Sequence, residues 1–273
     1  MSYLTREDGK EIYYENYGEA DTAVVLVHGW GANVRVWDYT LPGLVEKGYR
    51  VVLLDHRGCG KSSKDFSDMG IDAIAGDVVA LVESLGLNGV ILNGWSLGGA
   101  VVVAAATQLA ERCKGVVLTC GATPCYLQKP DYPYGGTDEI LAETLSAMAA
   151  DRVNFLAGLS AGVCASDVSP QVVDWICQMF LQSSPLAAQS LGALGPLDQR
   201  DELAALQVPI LSFVGGLDAV VDPAVCRSVA DYAKDVAVVE YAASGHAPFI
   251  DEGELYHSEF HRFIAKQLEG TTI

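Results

Sequence analysis

The chain of 273 residues carries 35 Asp and Glu against 17 Lys and Arg, a formal net charge of −18, and 50% of its residues are hydrophobic while 19% are charged. A surface this acidic repels phosphate backbones and anionic lipid headgroups, so neither nucleic acid nor a membrane surface is an expected partner. The charged share lies below the roughly 25% of an average globular protein, which predicts an ordered chain with a large core, and the length suits one domain carrying an insertion.

Residues 2–17 read as a β-hairpin around the charged turn Arg6-Glu7-Asp8-Gly9-Lys10. The run VVLVHG that follows is contiguous and β-branched, as a strand covered on both faces requires. Residues 37–47 supply a helix closed by Gly48, and RVVLLDHRGCGKS repeats the passage from buried strand to Gly-rich loop. Between Gly70 and Leu85, apolar residues at 71, 74, 78, 81, 82 and 85 recur at helical spacing. The strand VILN leads through GWSLGG into a small-residue helix over 100–110, and the strand GVVLT ends at Cys120.

After Gly121 no strand is expected until PILSFVG at Pro209, and the interval reads as helices over about 137–156 and 170–181. The sheet then resumes with PILSFVG, a helix over 224–232 and VAVVEY, and an amphipathic helix over 255–268 closes the chain. Strands alternating with helices predict an α/β fold, a doubly wound and mostly parallel sheet. Residues 124–203 read as a helical cap over its carboxyl edge, the alternative being ordinary helices packed beside the core, with the core divided into 1–123 and 204–273.

Seven cysteines, at 59, 113, 120, 125, 164, 177 and 226, lack structural-zinc spacing, and the odd count suits free thiols in a reducing compartment. The opening segment has no basic-then-apolar signal, and VVLVHGWG and GAVVVAAATQLA are too short or broken to span a bilayer. A cytoplasmic protein is expected.

Gly94-Trp95-Ser96-Leu97-Gly98 sits between the strand VILN and a helix. A serine at a sharp strand-to-helix turn is pushed out of the sheet edge, and larger residues two positions either side would crowd that turn. The helix start also aims unpaired N–H groups and a favourable dipole at a developing oxyanion. Ser96 is therefore the candidate nucleophile.

With these residues the chain resembles the α/β-hydrolase superfamily, in its small esterase and cofactor-free haloperoxidase-like branch. The resemblance implies a triad in the order serine, acid, histidine: Ser96, then Asp218 after PILSFVG, then His246 in YAASGHAPFID. In that arrangement neutral His246 accepts the Ser96 proton while the carboxylate fixes its tautomer. Asp222 is the rival acid, its other role being a cap before Pro223, and Asp251 reads as a cap or ion-pair partner. The resemblance assigns the oxyanion hole to the backbone N–H groups of Trp30 and Leu97, and it implies that His28 supports that loop.

His257 and His261, one turn apart, read as surface or packing residues with no metal site. Asn93 is unusual in a buried strand and has two readings, a hydrogen bond beneath the elbow or a functional difference. Gly58-Cys59-Gly60-Lys61-Ser62 is not a phosphate loop, because Asp55 stands where that motif needs glycine. It resembles instead the Asp-x-Arg-Gly-x-Gly-x-Ser loop of the family, in which Asp55 and Arg57 tie loops together.

The implied function is a cofactor-free, metal-free serine hydrolase that cleaves a carboxylic ester or lactone of a mostly apolar small molecule through an acyl-enzyme. The cap residues Tyr126, Tyr132, Trp175, Met179 and Phe180 are candidates for the pocket. A serine at the elbow departs from the aspartate of haloalkane dehalogenases and epoxide hydrolases. Alternatives are a carbon–carbon hydrolase acting on a diketone, a perhydrolase (though Leu97 departs from the methionine common after the nucleophile of haloperoxidases), and a ligand receptor on the same fold. The chain is expected as a monomer or homodimer.

Overall fold

The structure, a computed structural model, describes residues 2–269. Strands β1 (Ser2–Thr5) and β2 (Glu11–Tyr17) pair antiparallel around a 3-10 turn at Glu7–Gly9, the hairpin expected from its charged turn. Then come β3 (Thr22–Val27), α1 (Leu41–Glu46), β4 (Arg50–Leu54), α2 (Ile71–Ser84), β5 (Gly89–Trp95), α3 (Leu97–Leu109) and β6 (Cys113–Thr119). The sheet has eight strands in the order β1-β2-β4-β3-β5-β6-β7-β8, once β7 (Ile210–Gly215) and β8 (Val236–Tyr241) are added. Pairing is parallel from β4 through β8, and β2 joins β4 antiparallel.

All seven residues of β5 are buried, whichever way they point, so helices must cover both faces of the sheet. The stripe of α2 falls where its spacing put it, with Ile71, Ile74, Val78, Leu81 and Val82 in the core. Asp77 shares that buried face and accepts hydrogen bonds from Arg57 Nε (2.6 Å) and Nη2 (2.8 Å) and from Arg6 Nε (2.7 Å). Asp55 accepts from the Val34 and Lys61 N–H groups at 2.8 and 2.7 Å. The two residues thus bind the loops at the strand ends to each other.

Between β6 and β7 lie α4 (Asp138–Ala150), α5 (Arg152–Ala161), α6 (Pro170–Leu181), α7 (Ala188–Gly192) and α8 (Arg200–Ala205). The single helix expected over 137–156 is instead two. Asp151, at φ −149° and ψ 80°, interrupts it and caps α5 by accepting the Asn154 N–H at 3.2 Å. After β7 come α9 (Pro223–Tyr232), α10 (Pro248–Asp251) and α11 (Gly253–Glu269). No helix among the described residues is long and apolar enough to cross a membrane.

Cap and core are tied at named points. The Trp30 indole N–H donates to Ala187 O at 2.8 Å, the Ser184 N–H to Gly58 O at 2.7 Å, and Arg152 Nη2 to Ser183 O at 2.8 Å within the cap itself. His257 and His261 are packing residues: Nε2 of the first lies 3.1 Å from Thr40 Oγ1, and the second stacks on Tyr49.

Candidate active site

Ser96 stands between β5 and α3 at φ 57° and ψ −124°, a left-handed backbone that is costly for a side-chain-bearing residue. Hydrogen bonds hold it there: its N–H donates to Thr119 O (3.0 Å), and its carbonyl accepts from the Gly99 and Ala122 N–H groups (2.8 and 2.9 Å). The neighbouring glycines are a steric necessity. A Cβ on Gly94 would stand 2.1 Å from Gly98 O, and one on Gly98 would stand 2.4 Å from Val27 O.

Asp218 follows β7 in a tight turn, where Oδ1 accepts the Val220 and Val221 N–H groups at 2.8 and 3.0 Å. Its Oδ2 accepts from His246 Nδ1 at 2.7 Å, and both side chains are buried. The His246 loop is fixed from two sides: its backbone N–H donates to Val163 O in the cap (2.8 Å), and its carbonyl accepts the Trp95 indole N–H (2.7 Å). A Cβ on Gly215 would stand 1.9 Å from Gly245 O, so only glycine lets the acid and histidine loops meet. Ser96 and His246 face one cavity, and Ser96 Oγ makes no hydrogen bond to His246 Nε2, a contact that commonly tightens only with substrate bound.

Asp222, the rival acid, is occupied elsewhere: Oδ1 caps α9 through the Ala224 N–H (2.9 Å) and Oδ2 accepts the Gly135 N–H (3.0 Å). Among the described residues Asp251 makes no ion pair. Its carboxylate accepts the N–H groups of Gly245 (2.8 Å), Ala165 (3.0 Å) and Ser166 (3.0 Å), tying the histidine loop to the cap.

Trp30 follows β3 and Leu97 opens α3; among the described residues no acceptor takes either backbone N–H. The two segments touch, since a Cβ on Gly29 would lie 3.0 Å from Ser96 Cβ. His28 braces this loop: Nδ1–H donates to Gly29 O (2.7 Å) and Nε2 accepts the His56 N–H (2.9 Å). That pairing assigns its neutral tautomer.

His28 and His56 stack at 3.8 Å, wholly buried, and desolvation lowers the pKa of each, His56 the more strongly. Burial likewise lowers His257, and it pushes His261 down to about 4. The unfolded chain binds protons at these positions below about pH 6.5 while the folded protein does not, so stability should fall from about pH 6.5 toward 4. Thermal melting should therefore show a lower Tm at about pH 5 than at about pH 7, with a shallower slope in His56→Phe. A flat profile over that range would contradict the assignment.

The cavity above Ser96 is lined by Trp30, Leu97 and His246 at its floor and by Tyr126, Phe155, Leu159 and Phe180 among its walls. Of the expected pocket residues, Tyr126 and Phe180 are there. Tyr132, Trp175 and Met179 are not among the residues that line it. Tyr132 is buried beneath the cap, its hydroxyl 2.8 Å from Ser228 Oγ. Trp175 packs edge-on against Tyr39 in a separate surface groove, and Met179 is buried on α6 away from the cavity wall. Phe155 and Leu159 went unassigned although their i, i+4 spacing puts them on one face of α5.

Among the described residues no Lys or Arg lines the cavity. The cap arginines are engaged elsewhere, Arg152 with carbonyls of Phe180 and Ser183, and Arg200 with Asp198 and Asp131. Asn93 proves to be a support under the elbow: Nδ2 donates to Tyr256 OH (3.0 Å) and Oδ1 accepts from Thr119 Oγ1 (2.9 Å).

Comparison with known proteins agrees with this architecture. Residues 22–253 match the alpha/beta hydrolase fold family. The AB hydrolase superfamily protein YisY of Bacillus subtilis is 29% identical over 96% of this chain and 98% of its own length. A non-heme chloroperoxidase of Burkholderia pyrrocinia is 31% identical over 81% of this chain and 84% of its own. Among solved structures, an esterase from Exiguobacterium antarcticum superposes with a TM-score of 0.92 at 27% identity, covering 96% of this chain and 98% of that one.

Proposed function

The chain belongs to the alpha/beta hydrolase fold family, and on that footing we propose that it is a serine-type carboxylic ester hydrolase acting on small, uncharged, mostly apolar esters and lactones. The observation that carries the reading is the Asp218 carboxylate 2.7 Å from His246 Nδ1, with Ser96 in the cavity that His246 also faces.

In this reading His246 Nε2 takes the Ser96 proton as Oγ attacks the carbonyl carbon, and the Trp30 and Leu97 N–H groups hold the oxyanion. One such donor contributes about 3 kcal/mol to the transition state. His246 then protonates the leaving alkoxide, and the acyl-enzyme is opened by a water that gives one proton to His246, which passes it to the departing Ser96 Oγ. Asp218 keeps the imidazole proton on Nδ1 throughout. The likeness to an esterase of the same fold supports the choice of ester over other acyl substrates.

Residues 124–203 serve as the cap that walls the acyl pocket, over a core of 1–123 and 204–273. An uncharged substrate is favoured because, among the described residues, no Lys or Arg lines the cavity. The cavity has a volume of about 80 Å³. We accordingly place the protein in the cytoplasm, as a monomer or homodimer, with a short-chain substrate and no nucleic-acid partner.

Across a p-nitrophenyl ester series, kcat/KM is expected to be highest for short acyl chains, which suit a small apolar cavity, and to fall for long ones. Substitution Phe180→Ala should move the optimum to longer chains. An optimum at long acyl chains in the wild type, or no turnover of any ester or lactone by the folded protein, would remove the reading.

The likeness to a bifunctional esterase/perhydrolase of Acinetobacter calcoaceticus, 27% identical over 97% of this chain and 99% of its own length, favours one second reaction. Hydrogen peroxide takes the place of water at the acyl-enzyme, releasing the peracid and restoring the Ser96 hydroxyl. Peracid formation that requires both ester and Ser96 is the result expected in the same assay.

A further inference from the structure

We propose that Cys120, Asp218 and His246 form a latent site for a thiophilic divalent cation such as Zn²⁺, whose occupation switches off the base of the hydrolase. The inhibitory half of the proposal rests on the reading of His246 as that base.

Cys120 is the residue immediately after β6, held at φ 46°, a conformation costly for any residue with a side chain. That backbone lodges its thiol between the two loops that carry the acid and the histidine: Sγ lies 3.8 Å from Gly245 O, beside His246. One donor atom from each of Cys120, Asp218 and His246 lies within 4.8 Å of the others, and all three residues are buried. The acyl-transfer chemistry has no use for this thiol.

Thiolate, carboxylate and imidazole are a donor set that suits Zn²⁺, and the fourth position is left to water or substrate. A tetrahedral site with bonds of about 2.0–2.3 Å sets its ligand atoms roughly 3.4–3.8 Å apart, so displacements of about 1 Å gather these three. Charge also closes: one thiolate and one carboxylate offset the dication, which a buried site requires. Of the three ligands, His246 borders the acyl cavity. The acidic surface raises the local concentration of cations around the molecule.

Inhibition follows from proton placement. The imidazole nitrogen nearest Asp218 is Nδ1. A neutral imidazole ligated through Nδ1 carries its proton on Nε2, leaving no lone pair there to accept the Ser96 proton. The Cys120 S–H proton leaves for solvent and the His246 proton exchanges from Nδ1 to Nε2. One proton is released per cation bound, and no electron is transferred.

The test uses the full-length protein and Co²⁺ as a spectroscopic probe, in a Ser96→Ala background where turnover plays no part. A near-ultraviolet thiolate-to-cobalt charge-transfer band is expected, and it should disappear when Cys120→Ala is added. His246→Gln, which keeps the thiol, should also remove it, with folding of each variant followed by thermal melting. In parallel, Zn²⁺ should inhibit wild-type ester hydrolysis reversibly by EDTA. In Cys120→Ser the inhibitory concentration, measured against that variant's own uninhibited rate, should rise on the order of tenfold or more.

Absence of the band, its persistence without Cys120, or equal Zn²⁺ inhibition in Cys120→Ser would overturn the site. Cys164 and Cys177 are the partly exposed thiols to which a persistent band would then belong. A Cys120-dependent band in a protein that hydrolyses no ester leaves the cation site standing and sinks the hydrolase reading alone.

Discussion

Ser96→Ala is expected to lower kcat/KM for the best ester by on the order of 10⁵- to 10⁶-fold while leaving the fold intact. The hydroxyl is the only atom removed, and it is the group that forms the bond to the acyl carbon. What survives is the contribution of the Trp30 and Leu97 N–H groups and of binding, typically about 10³- to 10⁴-fold over water. Melting should separate this role from a structural one. Alanine retains the strained backbone at φ 57°, whereas Ser96→Gly relieves it and should gain about 1 kcal/mol in stability while being equally inactive. A folded Ser96→Ala protein that keeps more than about a hundredth of the wild-type rate would exclude Ser96 as nucleophile.

Asp218→Asn should cost about 10⁴-fold in kcat with little change in KM. The carboxylate has one oxygen committed to the Val220 and Val221 N–H groups and the other to His246 Nδ1. An asparagine that keeps its oxygen on the two backbone donors must turn its NH₂ toward His246. Nδ1 then becomes an acceptor, the ring proton moves to Nε2, and the nitrogen that faces Ser96 can no longer accept its proton. The control is Asp222→Ala, which removes the cap of α9. It should cost about 1 kcal/mol in stability and change kcat by less than about twofold. The opposite pattern, a large kcat loss at position 222 and a small one at 218, would exchange the two assignments.

The parts of this protein that were legible in its amino-acid order are those where one local rule acts alone. An unbroken apolar strand such as β5 has no amphipathic reading, and glycines at 94 and 98 flanking a serine admit few backbones. The elbow and the central sheet are therefore legible in the amino-acid order alone. The helix over 137–156 was drawn too long because its apolar spacing continues through Asp151, whose capping role depends on a turn that spacing does not encode.

The pocket was read least well, for a physical reason. Tyr132, Trp175 and Met179 are as large and apolar as the residues that line the cavity, and only packing of the cap helices separates wall from core. Trp95 was missed altogether. Its indole N–H clamps the His246 carbonyl at 2.7 Å across 151 positions of sequence, a distance at which local patterns are silent. Asn93 carried a sign, being polar within a buried strand, but its partner Tyr256 lies on α11. Cys120 was counted only as a free thiol, because its proximity to Asp218 and His246 arises from three separate strand ends.

The central claim is a covalent acyl intermediate on Ser96, and the most direct test is mass spectrometry of the folded wild type mixed briefly with p-nitrophenyl butyrate and quenched in acid. One butyryl group per chain is expected, mapped to the peptide containing Ser96 and absent from Ser96→Ala. Release of p-nitrophenol with the butyryl group on another residue would contradict it. So would release without any adduct, under conditions where deacylation is slow enough for one to accumulate.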